Sequence, residues 1–120
     1  MRFFFTSDLH GKTERYEKLL LAISGERPSA VFLGGDLLPH PFARSAVNGD
    51  FVSDFLVKRF ALLRDEMGGD YPLVLVILGN DDPRVEEEAV LGAEDTGVWR
   101  YVHGRRVDTA GFSVYGYSFV

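Results

Sequence analysis

Three short motifs carry the residues of this chain that could do chemistry: Asp8-Leu9-His10, Gly34-Gly35-Asp36 and Gly79-Asn80-Asp81-Asp82. Each follows directly on an apolar run. Carboxylate, imidazole and amide together make a mixed hard and borderline ligand set. It suits manganese, iron, zinc or magnesium better than calcium or copper. A carboxylate with two free oxygens, such as Asp36, can bridge two cations. Two ions about 3.5–4 Å apart polarise a phosphoryl group and make a hydroxide nucleophile near neutral pH. Gly11, Gly35 and Gly79 allow tight turns and close approach of backbone to a bound group. Singly, each residue has a plainer reading: Asp8 as a turn or helix-capping residue, His10 as a loop histidine, Asp36 and Asn80 as turn residues. Three independent turns have no reason to supply Asp-x-His, Gly-Asp and Gly-Asn in that order after three successive buried strands. The conjunction reads as a metal site.

The elements that must position these residues are legible in the apolar pattern. Arg2 to Thr6 reads as a short buried strand. Tyr16, Leu19, Leu20 and Ile23 fall at i, i+3, i+4, i+7 and predict a helix that Gly25 and Pro28 end. Ala30 to Leu33 is a second strand. A loop rich in Pro and Gly follows, then a helix from about Asp50 to Met67. Its inner face is Val52, Leu56, Phe60, Leu63 and Met67, and Gly68-Gly69 stops it. Leu73 to Leu78 is apolar throughout, as expected of a central strand covered on both faces. The order is βαβαβ, whose default is a parallel sheet with right-handed crossovers. Ligands in such sheets bind beyond the carboxyl ends of the strands, where all three motifs fall. Farther on, Glu86 to Leu91 reads as a short helix. Trp99 to Val102, Arg105 to Thr109 and Phe112 to Tyr117 read as short strands, with Ala110-Gly111 as a hairpin turn.

Composition narrows the function classes. A chain of 120 residues, 46% apolar and with ten Phe, is long enough for one domain with a real core. A net charge of -5 argues against a nucleic-acid partner, and the short cluster Arg100, Arg105, Arg106 reads as solvated surface. With no Cys there are no disulfides, zinc-thiolate sites or cysteine nucleophiles. The apolar start is too short for a signal peptide, and no run approaches the roughly 18 residues of a membrane helix. The expectation is a soluble, cytoplasmic protein without a membrane partner. No Gly-rich phosphate-binding motif and no serine nucleophile elbow is present.

Asp8-x-His10, Gly35-Asp36 and Gly79-Asn80 resemble the first three signatures of the calcineurin-like metallophosphoesterases. The specific resemblance runs from Met1 to about Pro83 and continues less specifically through the strand-rich tail. It implies an α/β fold, a two-sheet sandwich with flanking helices. It implies a dinuclear centre of divalent ions (Mn, Fe, Zn, Ni or Mg, with Mn favoured), in which Asp8 and His10 hold one ion, Asp36 bridges and Asn80 holds the other. The implied reaction is hydrolysis of a small-molecule phosphodiester or phosphomonoester by metal-bound hydroxide.

The sequence departs from the family in two places. The usual third motif is Gly-Asn-His followed by Asp or Glu, and its His contacts phosphate and can protonate the leaving group. Asp81 stands at that position. Such a site should favour diesters and easily departing groups, or use another acid, for which His40 and Arg84 are the candidates. The family also adds metal-binding histidines after the third motif. Only His103 follows here, in the order His103-Gly104, and it reads as a structural or surface residue. Residues 1–120 are therefore expected to be a single, partial domain, the N-terminal part of a longer protein, with little activity of its own. The alternative from a different class is a non-catalytic scaffold of the same fold, or an inactive form.

Overall fold

The computed structural model describes residues 2–39, 51–79, 82, 86–109 and 112–116. Strands β1 (Phe3–Thr6), β2 (Ala30–Gly34), β3 (Leu73–Ile77) and β4 (Arg100–Tyr101) form one parallel sheet in the order β1-β2-β3-β4. The register pairs Thr6 with Leu33 and Gly34 with Ile77. The carboxyl ends of the first three strands therefore lie level. The residues that follow them emerge along one edge, on strands about 4.8 Å apart.

Helix α1 (Thr13–Glu26) joins β1 to β2. A π-helical stretch (Val52–Val57) runs into α2 (Lys58–Met67) ahead of β3, and α3 (Glu87–Gly92) precedes β4. The expected helix faces are the buried ones. Tyr16, Leu20 and Ile23 from α1 and Val52, Leu56, Phe60 and Leu63 from the second helical segment pack with Val31, Leu33, Val74 and Val76 of the sheet. Trp99 sets its ring edge-on to Phe60 at 5.7 Å and donates its indole N–H to the Val90 carbonyl, so its one polar atom is satisfied in the core.

The opposite face of the sheet carries the antiparallel hairpin β5 (Arg106–Thr109) and β6 (Phe112–Tyr115). Val107 joins Leu75 and Val102 in a second, smaller core, with Phe32, Ile77 and Val114 packed against it. Side chains of β3 enter both cores, as the unbroken apolar run Leu73 to Leu78 predicts. The result is the expected α/β architecture: two sheets, with helices outside the larger one.

Three expectations are corrected. The strand beginning at Arg2 is not buried. β1 lies at the edge of the sheet, and Phe5 is 73% exposed. Apolarity reports that a strand prefers burial, while sheet order decides whether it gets it. Helix α1 passes through Gly25 and ends at Arg27, which takes the left-handed conformation (φ 51°) and donates its N–H to the Ile23 carbonyl. A glycine in a last turn costs only about 1 kcal/mol, whereas Pro28 disfavours helical backbone at the residue before it. The tail strands are shorter than read: β4 covers only Arg100–Tyr101, and β6 ends at Tyr115. Asp50, the Ala110-Gly111 turn and Tyr117 lie outside the described residues.

Candidate metal centre

The loop after β1 is laid alongside the loop after β2 by a continuation of their pairing. Asp8 N–H donates to the Gly35 carbonyl (3.1 Å), His10 N–H to the Asp36 carbonyl (2.9 Å) and Gly11 N–H to the Leu37 carbonyl (2.9 Å). From the core, the Tyr16 hydroxyl donates to the same Leu37 carbonyl at 2.7 Å. Helix α1 and both ligand loops are thus tied at one point.

Asp8, His10 and Asp36 all sit at positive φ (59°, 49° and 54°). Among the described non-glycine residues only Arg27 shares this. Left-handed backbone costs an L-residue of order 1–2 kcal/mol, with Asp among the more tolerant types. Strain concentrated on three residues of one edge is a mark of a functional site. The glycines make room for it. A Cβ on Gly35 (φ 104°) would lie 3.0 Å from the Gly79 backbone, and one on Gly79 would lie 2.5 Å from Asp36 Oδ1. The second and third ligand loops therefore touch backbone to backbone, with the Asp36 carboxylate laid over Gly79.

One ligand atom each from Asp8, His10 and Asp36 lies within 4.8 Å of the others. Donors on opposite sides of one ion with bonds of about 2.1 Å lie roughly 4.2 Å apart, so the three need contract only slightly to share a cation. Two carboxylates and an imidazole are also the right donor types for a divalent first-row ion or magnesium. Asp8 Oδ1 stands 3.4 Å from His10 Nε2, and Asp8 Oδ2 accepts a 2.9 Å hydrogen bond from the Ser7 hydroxyl. The Ser7 bond, with the His10 ring beside it, holds the Asp8 carboxyl below the usual carboxylate range.

Asn80, Asp81, His40 and Arg84 lie outside the described residues. His103 is half-buried, bridges to Gly116 of the hairpin and stacks obliquely on Tyr101, in keeping with a structural role. Arg105 forks onto Glu94, and Arg106 pairs with Asp108 and lies over the Tyr115 ring, so two of the three basic-cluster residues are already partnered.

Asp82 stands in the third motif, but the sequence reading gave it no role. Asp82 is 3% exposed, and its carboxylate accepts hydrogen bonds from Leu37 N–H (2.9 Å), Leu38 N–H (2.8 Å) and Gly79 N–H (2.9 Å). Burial pushes its carboxyl above the usual range, against these three donors. The signal was available: a second carboxylate closing the Gly-Asn motif, where the resembled family also carries Asp or Glu.

The calcineurin-like phosphoesterase family model matches residues 1–117. Among solved structures, one crystal structure is similar with a TM-score of 0.63 and 17% identity, over 97% of this chain and 52% of the matched one. At that identity the likeness speaks to the fold. This chain spans about half the length of that protein. No curated protein sequence matches.

Proposed function

The chain belongs to the calcineurin-like phosphoesterase family, and from that premise we propose that it carries the ligand core of a dinuclear metallophosphoesterase centre acting on small-molecule phosphate esters. The convergence of Asp8, His10 and Asp36 donor atoms within 4.8 Å, at the level carboxyl ends of β1 and β2, is the observation that carries this reading. Asp8 and His10 would hold one ion, Asp36 would face both, and Asn80 would hold the second. Manganese is the favoured metal. Divalent ions bound there supply positive charge to the phosphoryl oxygens and lower the pKa of water.

The chain's own residues do the positioning. Ser7 orients Asp8, the loop-to-loop amide bonds fix the backbone of Asp8 and His10 against Asp36, and Gly79 leaves room for the Asp36 carboxylate. Asp81, in the place of the family's phosphate-contacting histidine, disfavours a doubly charged monoester more than a singly charged diester. Diesters with good leaving groups are therefore the proposed substrates, and His40 and Arg84 are the candidate helpers at the leaving oxygen. The four metal ligands named here fall short of filling two coordination spheres. We accordingly assign these 120 residues metal binding with weak turnover, and full activity to a complete ligand set.

Calorimetric titration with Mn2+ tests the reading. The unmodified chain should bind the ion, and Asp36→Ala should abolish binding while the protein stays folded. Hydrolysis of an activated phosphodiester with Mn2+ should stay near background. Binding that survives Asp36→Ala would refute the site. Asp81 favours one alternative, a non-catalytic scaffold of the same fold, for which Asp36→Ala would leave partner binding intact.

A further inference from the structure

We propose that Asp82 is a positioning residue that locks the second and third ligand loops into one unit and so sets Asp36 against the loop that carries Asn80. The proposal rests on the metallophosphoesterase reading above. Leu37 and Leu38 directly follow Asp36, and Gly79 directly precedes Asn80. Asp82 Oδ1 takes both leucine amides and Oδ2 takes the glycine amide, at 2.8–2.9 Å. Its own N–H donates to the Gly79 carbonyl at 3.2 Å. One buried carboxylate thereby spans loops 45 residues apart in sequence.

The geometry requires an acceptor at both oxygens. Asparagine has one. With its oxygen on the two leucine amides, its NH2 faces the Gly79 N–H, donor against donor. The reverse orientation faces two donors and is worse. Asp82→Asn therefore keeps the bonds to the second loop and cuts the one to the third. Alanine would orphan all three amides, each at a cost of about 1–3 kcal/mol.

The test compares the unmodified chain, Asp36→Ala and Asp82→Asn by Mn2+ calorimetry at a temperature where circular dichroism shows each folded. The expected result for Asp82→Asn is an affinity about 10–100-fold weaker, as for other residues that orient metal ligands. Amide exchange should quicken at Gly79 and stay slow at Leu37 and Leu38. A residue with only a structural role would lower the melting temperature and leave affinity unchanged, and that outcome overturns the proposal while the metal site stands. Failure of the unmodified chain to bind Mn2+ overturns both. If Asp82→Asn does not fold, amide exchange in the unmodified chain decides. Mn2+ should protect Leu37, Leu38 and Gly79 together, and protection that stops at Leu38 overturns the proposal.

Discussion

Gly79→Ala measures how tightly Asp36 and the third ligand loop are fitted. An added Cβ would lie 2.5 Å from Asp36 Oδ1, 2.7 Å from its backbone nitrogen and 2.9 Å from Cγ. Ordinary contact begins at 3.4 Å, so from 2.5 Å the Asp36 carboxylate must retreat by about 0.9 Å. Rotation of the side chain does not suffice, because the backbone nitrogen is struck as well. Metal-ligand distances hold to within about 0.2 Å, so a retreat of this size takes Asp36 out of productive reach. The expected loss of Mn2+ affinity is about tenfold or more. Overpacking adds a destabilisation of about 1–3 kcal/mol. Gly34→Ala is the control. Its Cβ would meet the tip of the Phe5 ring at 2.7 Å, but that ring is largely exposed and can swing into solvent. Calorimetry should find affinity lost in Gly79→Ala and kept in Gly34→Ala, with urea unfolding run on both. Parent-like affinity in Gly79→Ala, or equal losses in the two variants, would refute the fitted-loop argument.

Two further outcomes follow from the same geometry. Burial, with the Asp82 charge adding, pushes the Tyr16 phenol well above its ordinary value. The unfolded chain releases this proton near pH 10 and the folded chain keeps it, so stability should fall as pH rises past about 10, by roughly 1.4 kcal/mol per pH unit for this phenol. Urea unfolding between pH 8 and 11 should show the slope, and Tyr16→Phe should flatten it, leaving the share of Tyr71, which burial also raises; identical slopes would refute the assignment. Gly11→Ala places a side chain at φ 68° with its Cβ 2.6 Å from the Pro39 backbone nitrogen. Left-handed strain of about 1–2 kcal/mol and overpacking of about 1–3 kcal/mol should together lower stability by at least about 2 kcal/mol in urea; a change within 0.5 kcal/mol would contradict the close approach of these two loops.

The residues easiest to read from sequence were those whose signal is local. The period of Tyr16, Leu20 and Ile23 marked a helix face, and that face is buried because helix geometry alone puts those positions on one stripe. The unbroken run Leu73 to Leu78 marked a strand covered on both sides, and β3 contributes to both cores. Asp8, His10 and Asp36 were legible because they lie within a few residues of the ends of β1 and β2, so strand register carries them to a common edge. Gly25 misled because a glycine permits a helix end without requiring one, while Pro28 acts on its neighbour Arg27.

Phe5 and Asp82 mark where local reading stops. The sequence by itself determined which side chains carry donor chemistry suited to a divalent ion and which strands bring Asp8, His10 and Asp36 to one edge. Both follow from residue type and from periodicity, which operate over a few residues. Only the tertiary structure decided that β1 is an outer strand, and that the Asp82 carboxylate turns inward to hold Leu37, Leu38 and Gly79. Sheet order and the partners of a buried carboxylate depend on segments dozens of residues apart, and no local pattern encodes them. The same distance separates the parts of the candidate site: donor chemistry is written in short motifs, and the placement of Asp8, His10 and Asp36 in the contacts between their loops.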